Sequence, residues 1–498
     1  MDLKPLILLS PELFLSFLGL LLLVWEAFFP KTRRAFVIVS VMGLLAAVLY
    51  LAQMYISRAL PWAGAFGVLP NPGTTGWIQY GVVLGMESVD SLSVFFKIVI
   101  LLSVILVLCL SLDYHEFADA PMGTYASLLL FGTVGMMLLV GSVDFLMAVI
   151  SLELVSIPSF ILTGFMVHRG SSNEGAIKFF LVGTFSTALL LFGLSYYYGY
   201  FGSTGIEPLL QGIGNNGKPD LVFSLILIFI LAGLGFKLAM VPFHMWAPDA
   251  YEGAPTPVTA FLSVAPKAAG IGFLLRILIN HVDLNLTPVL AVLSALTMTV
   301  GNIGALHQTN VKRLMAYSSI AQVGYILAAL TAAVVAVGDL GSQAVMVYTF
   351  LYVFMNLGVF AVLILVSNQT RSDEITTFAG LSKTSFGLAM ALAVFLLSLT
   401  GIPPMAGFVG KFALFAALMK NTGLVWLGVV AVVNSVISLY YYFRIVREVF
   451  FCEPQEPARP LVFSPALICC VVATLAVTLA LGVFPGPFLN WVRTVVGI

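Results

Sequence analysis

Four ionisable residues, Glu153, Lys237, Lys267 and Lys411, stand inside long apolar runs, away from any polar loop. A charged side chain at the centre of a membrane helix costs roughly 2.5–3.5 kcal/mol on insertion scales. A chain with 9% charged residues and a mean hydropathy of +1.08 has little reason to keep such groups for packing. Lysine releases its proton readily when desolvated, and a buried carboxylate ionises when an ammonium lies beside it. The chemistry this set suggests is movement of protons or cations through a bilayer. His244, two residues after Pro242, and His307 add side chains that titrate near neutral pH. Lys178 follows Glu174 by four residues, a spacing that lets the two pair along a helix. Lys97 has no evident partner, and Arg276, near a helix end, is expected to snorkel to the interface.

The composition excludes a soluble protein, in which about 25% of residues are charged; here 60% are hydrophobic. No basic run suggests a nucleic-acid partner. Cys109, Cys452, Cys469 and Cys470 form no Cys-x-x-Cys pair and the five histidines are scattered. Ligand spacing for zinc, haem or an iron–sulfur cluster is therefore missing, and the cysteines read as apolar packers. Gly212-Ile213-Gly214-Asn215-Asn216-Gly217 spells a dinucleotide fingerprint but lies in a short polar loop, not between a strand and a helix. It reads as a turn. Asn285-Leu286-Thr287 and Asn368-Gln369-Thr370 are sequons that matter only in a secretory context. The first apolar run is expected to be a retained membrane helix, since it lacks a basic leader and a cleavage site.

The elements that must position the buried charges are helices of membrane-crossing length. Fourteen spans are expected, at 6–29, 34–53, 88–112, 122–141, 143–167, 174–200, 220–249, 255–281, 287–306, 311–335, 342–367, 386–420, 423–450 and 461–484. The fold class is an all-α polytopic membrane protein. Eleven Lys and Arg residues flank the odd-numbered connections and five flank the others and the termini. The positive-inside rule then puts both termini on the outer, periplasmic face of a bacterial inner membrane. The seventh and twelfth spans are too long and too interrupted for simple helices. One reads GLGFKLAMVPFHMW around Lys237 and Pro242; the other reads SLTGIPPMAGFVGKF around Pro403, Pro404 and Lys411. A proline close to a lysine in each, five spans apart, suggests inverted repeats with broken helices. The expected organisation is one membrane domain with an N-terminal three-helix segment (1–121), a first five-helix repeat (122–281), a second (287–450) and a C-terminal helix (461–498).

GFKLAMVPFHMWAPDAYEGAPTPVTAFLSVAPKAAG, with GNIGALHQTNVKRLMAYSSIAQVGY and LTGIPPMAGFVGKF, resembles the antiporter-like membrane subunits of respiratory complex I over most of the chain. Lysine at 411, where the M-type subunits usually carry glutamate, and the absence of room for the lateral helix of the L-type point to the N-type branch. The resemblance implies a proton-translocating subunit of an NADH-quinone oxidoreductase. Its fifth-helix glutamate corresponds to Glu153 and its broken-helix lysine to Lys237. Its sixth- and eighth-helix lysines correspond to Lys178 and Lys267, and its exit-side lysine to Lys411. It implies no cofactor in this chain; FMN, iron–sulfur clusters, NADH and quinone belong to partner subunits. The partners implied are homologous antiporter-like subunits, small membrane subunits and lipid. The expected mechanism is a relay in which ionised Glu153 holds Lys237 charged. At roughly 4–6 Å and an effective dielectric near 20 that attraction is about 3–4 kcal/mol. The proton then passes through Lys267 towards Lys411, with Lys178 or His244 refilling the site. The alternatives are a subunit of a multisubunit sodium/proton antiporter, or a purely structural membrane scaffold.

Overall fold

The computed structural model of the chain describes residues 4–30, 32–57, 71–72, 78–210, 221–278, 286–335, 339–453 and 464–496. The glycine-rich run at 212–217 and Asn285 of the first sequon lie outside the described residues.

The chain opens with α1 (Ser10–Phe28), α2 (Arg33–Ser57), a small sheet and α3 (Ser91–Ser111). A first block follows: α4 (Met122–Gly141), α5 (Phe145–Thr163), α6 (Gly170–Phe201), the short α7 (Glu207–Leu210), α8 (Leu221–Leu238), α9 (Trp246–Gly253) and α10 (Thr256–Leu278). A second block holds α11 (Thr287–Leu306), α12 (Val311–Val335), α13 (Asp339–Thr370), the short α14 (Leu381–Thr384), α15 (Phe386–Thr400), α16 (Ala406–Met419) and α17 (Val425–Phe451). The chain closes with α18 (Pro465–Val483) and α19 (Gly486–Val496). Twelve helical segments among the described residues are long and apolar enough to cross a membrane. The segments expected as the seventh and twelfth spans are instead divided, α8 from α9 and α15 from α16.

Burial orders the bundle. α10 is buried along its whole apolar stretch and α12 and α13 nearly so, whereas α6, α17 and α18 bury a third or less of theirs. The central helices carry small residues at close contacts, as membrane packing requires. At Gly324 of α12 an added Cβ would stand 2.5 Å from the Met298 backbone nitrogen of α11.

The all-α expectation misses one element. β1 (Asn71–Pro72), β2 (Ile78–Val83) and β3 (Glu87–Asp90) form an antiparallel sheet in the order β1-β2-β3, with Val83 opposite Glu87 and Val82 opposite Ser88. Leu84 and Gly85 both take positive φ at its tip, as a tight hairpin turn demands. β3 leads directly into α3, where Asp90 and Ser93 form a reciprocal capping box. The hairpin also docks on the α4–α5 link: Glu87 bridges Ser142, and the Val143 amide donates to the Met86 carbonyl at 2.9 Å.

Contacts between helix ends fix two faces. Arg276, at the end of α10, meets Asp90 at the hairpin face, while Arg313, at the start of α12, meets Asp249 of α9 at the opposite face. Asp373, shortly before α15, pairs with Lys312 beside Arg313, so α8/α9 runs towards that face and α15/α16 away from it. Each break contains a cis prolyl bond, Val241–Pro242 in one and Pro403–Pro404 in the other. Each also re-satisfies a freed carbonyl with a side chain: the Trp246 indole donates to the Phe236 carbonyl at 3.0 Å, and the Lys411 ammonium donates to that of Thr400 at 2.8 Å.

Gly401 ends α15 with φ +98°, and a Cβ there would come 2.8 Å from Lys411 Cδ. Replacing Gly401 with Ala is expected to destabilise the chain by about 1–3 kcal/mol, read as a lower thermal midpoint in detergent. Gly387, near the start of the same helix, has open space around it. Gly387→Ala is expected to be neutral or slightly stabilising.

Candidate functional site

The three buried lysines of the site come from the two breaks and the central helix. Lys237 is on the last turn of α8, Lys267 lies mid-way along α10 behind Pro266, and Lys411 is on the second turn of α16. Each is at most 5% exposed. Their ammonium groups have neutral partners. Lys237 donates to Ser156 of α5 at 3.2 Å and Lys267 to Ser319 of α12 at 2.6 Å. Lys411 donates to Ser435 of α17 at 2.9 Å as well as to the Thr400 carbonyl, and lies 4.4 Å over the Tyr325 ring.

α12 joins two of these lysines. Ser319, Gln322 and Tyr325 recur at intervals of three and share one face, rising about 9 Å over six residues. Ser319 receives Lys267. Gln322 accepts from the Tyr348 hydroxyl and donates to Tyr442 at 3.4 Å and to the Leu399 carbonyl at 3.3 Å. The Tyr325 hydroxyl lies 3.5 Å from Ser435, which holds Lys411. Ser318 adds a 2.5 Å contact with Tyr442. Asn302 of α11 donates to Asn434 at 3.0 Å and accepts from Tyr441 at 3.0 Å. All of these but Ser435 are buried. They form a band of neutral hydroxyls and amides through the second block.

Sequence reasoning did not find this band. Its signal was present in AYSSIAQVGY, where polar residues at helical spacing interrupt an apolar run. A polar residue in a buried membrane helix must face a partner, so the spacing itself could have been read.

Glu153 finds its hydrogen-bond partner on α6. It is half-buried on α5, and its Oε1 accepts from Thr187 of α6 at 2.7 Å. It makes no direct ion pair with Lys237, because Thr187 captures the carboxylate and Ser156, one turn further along α5, takes the ammonium. Apolar side chains around it, Ile150, Ile157, Leu181 and Phe185, face outward and are exposed.

Lys178 is not brought into the row. It pairs with Glu174 at 2.6 Å, as its spacing suggests, and with Asp249 at 2.8 Å. Asp249 also takes Arg313 at 2.6 Å, which reaches Glu252 at 2.8 Å. Lys178 thus belongs to a partly exposed charged cluster at the mouth of the first break. His244 is half-buried inside that break, and its Nδ1 has no hydrogen-bond partner among the described residues. His307 caps α11 at the face opposite the hairpin, exposed and apart from the row. Pro242, Pro403 and Pro404 occupy the breaks as expected.

Two further charges differ from expectation. Arg276 does not snorkel; it is buried and binds Asp90 through two hydrogen bonds of 2.7 and 2.8 Å. The capping carboxylate of α3 offers both its oxygens to the guanidinium, which therefore turns inward. Lys97 does have partners, Glu12 at 2.7 Å and Glu87 at 3.3 Å. Both are distant in sequence or brought close by the hairpin, so neither was legible from spacing.

The fold and the site together define a class: a multi-pass membrane protein with two broken helices and a row of buried amines. The chain belongs to the NADH:quinone oxidoreductase/Mrp antiporter transmembrane family, whose model matches residues 142–438. It is 41% identical to NADH-quinone oxidoreductase subunit N of Desulforamulus reducens, over 90% of this chain and 94% of that one. A chain of respiratory complex I from Thermus thermophilus superimposes with a TM-score of 0.78 at 31% identity, covering 96% of this chain and 98% of that one. A chain of the Mrp complex of Dietzia shares the fold, with a TM-score of 0.82 at 21% identity over 100% of this chain and 97% of that one.

Gln322→Leu keeps the volume of the side chain but strands the Tyr348 hydroxyl, while Tyr442 keeps its contact with Ser318. The expected loss of stability is about 1–3 kcal/mol for each buried polar group left unmatched, measured as a lower thermal midpoint of the purified protein.

Proposed function

We propose that this chain is the N-type proton-translocating subunit in the membrane arm of an NADH-quinone oxidoreductase. The observation that carries the reading is the row Lys237, Lys267 and Lys411, buried, partnered by neutral groups and continued from Lys267 to Lys411 by the band on α12. Similarity to subunit N over nine-tenths of the chain names the assembly. NADH oxidation and quinone reduction then belong to partner subunits, which hold the FMN, iron–sulfur clusters and substrates. The membrane is a bacterial inner membrane, with the hairpin face and both termini outside. The two blocks are inverted five-helix repeats, between the three-helix start and the terminal helix. In support, α8/α9 and α15/α16 occupy the same place in each block and run oppositely.

In this mechanism Lys237 takes a proton inside the first break and Lys267 passes it along the polar face of α12 to Lys411. The ammonium of Lys411 delivers it outward past the second break. Lys178 and Asp249 lie at the mouth of the first break, where they gather protons, and His244 relays them inward. His307, exposed at the same face, would at most supply protons to the mouth. Glu153 acts on Lys237 by its field, not by contact. Because it is half-exposed among outward apolar side chains, it faces a neighbouring membrane subunit, whose conformation sets its charge.

The antiporter reading shares this fold but needs no electron donor. Lys237→Ala in the assembled complex is expected to lower NADH-driven proton pumping at least about tenfold, the usual scale for losing a proton-transfer group. Wild-type pumping and wild-type NADH–quinone activity together would overturn the assignment. A pumping loss with the chain purified in a small all-membrane assembly would favour the antiporter.

A further inference from the structure

The row does not use the other buried charges of the chain. At the hairpin face, Lys97 of α3 is enclosed with Glu12 from the first turn of α1 and Glu87 of β3, each no more than 3% exposed. Its Nζ lies 2.7 Å from Glu12 Oε1 and 3.3 Å from Glu87 Oε1. The second oxygens, Glu12 Oε2 and Glu87 Oε2, are buried and have no hydrogen-bond partner among the described residues. The remaining charged groups against this cluster, among the described residues, are Asp90 and Arg276, already paired with each other. α4 carries no charged residue, and those of α2, Arg33 and Arg34, stand at its start near the opposite face. Among the described residues three carboxylates (Glu12, Glu87, Asp90) thus share two cations (Lys97, Arg276), leaving one negative charge without a counterion there.

An uncompensated charge in a buried site is neutralised by binding a proton, and two carboxylates on one cation cannot both stay ionised at low cost. We propose that Glu12 and Glu87 form a second proton-binding site, holding one exchangeable proton between them over Lys97. A bound proton supplies the donor that the unpartnered carboxylate oxygens lack. Burial pushes the Glu87 carboxyl up to about 8, Lys97 opposing the shift and Glu12 adding to it. The site is separate from the row, yet Arg276 and Lys267 are both on α10, nine residues apart, so a charge change at the hairpin is felt by the helix that carries the row. Gly141 keeps room for it: a Cβ there would stand 1.9 Å from Glu87 Oε1.

The native protein then keeps a proton that the unfolded chain has already lost between pH 4.5 and about 8. Stability falls as pH rises through that window and is fully present below it. Glu87→Gln should flatten this dependence.

The direct test is infrared difference spectroscopy of the purified membrane assembly, titrated through about pH 8. The expected result is a protonated-carboxyl band that disappears with alkalinity and is absent in Glu12→Gln and in Glu87→Gln, because the surviving carboxylate pairs with Lys97 and stays ionised. Lys237→Ala should keep the band. A band that persists in both single variants, or no such band in the wild type, would overturn the proposal.

Assembly gives a second readout that needs no catalytic turnover. Each single variant should assemble like the wild type, since it removes only the surplus charge. The Glu12→Gln/Glu87→Gln double variant leaves Lys97 buried alone and should lose assembly at least about tenfold, restored by adding Lys97→Met. A single variant as defective as the double one, or a double variant that assembles normally, counts against it. Neither readout depends on which electron-transfer partners surround the chain.

Discussion

Low dielectric governs this molecule: a polar group inside it must meet another polar group, because no water is there to replace one. The prolines open the helices, and each opening frees backbone groups that side chains then satisfy, the Trp246 indole at one break and the Lys411 ammonium at the other. The same requirement sorts the buried cations into two kinds. Lys97, Arg276 and Lys312 each sit on carboxylates: Glu12 and Glu87, Asp90, and Asp373. Lys237, Lys267 and Lys411 rest on hydroxyls and a carbonyl alone. A carboxylate fixes the charge opposite it, so the first kind hold structure. Neutral partners accept either charge state, which makes the second kind suited to exchange.

Packing supports this division. α10, α12 and α13 form the buried centre, so Lys267 and the Ser319–Gln322–Tyr325 face are enclosed by protein on every side. α6, α17 and α18 turn apolar residues outward. Glu153 sits at the boundary between these zones, half-buried and held by a hydroxyl of an outward helix. Its position ties the inner row to whatever lies against α5 and α6.

Much of the fold was legible in the sequence, because spans of apolar residues leave few alternatives in a bilayer and proline beside lysine marks a break. The hairpin was not, because 78–90 alternates weakly and its strands are short. The three lysines of the row were legible as anomalies against an apolar background. Their partners were not, since Ser156, Ser319 and Ser435 look like ordinary small residues of membrane helices until tertiary contact selects them. The turn of Glu153 towards Thr187 was hidden for a related reason. Depth in the membrane can be counted along the chain, but the direction a side chain turns is decided by competing hydroxyls on neighbouring helices. Arg276 and Lys97 followed the same rule, each finding a carboxylate that sequence distance concealed.

The bond between Lys411 and the Thr400 carbonyl carries one more implication. The ammonium is the cap of α15, the half-helix that ends at the break, and Gly401 lets the two lie in contact. Charge on this side chain and the shape of the helix end are therefore one variable, not two. On the proposed pathway a proton arriving or leaving there is also a small mechanical event, tightening or loosening a joint between two half-helices. Gly482 of α18 packs directly on the Pro404 carbonyl, so that joint bears on the helix at the rim of the bundle.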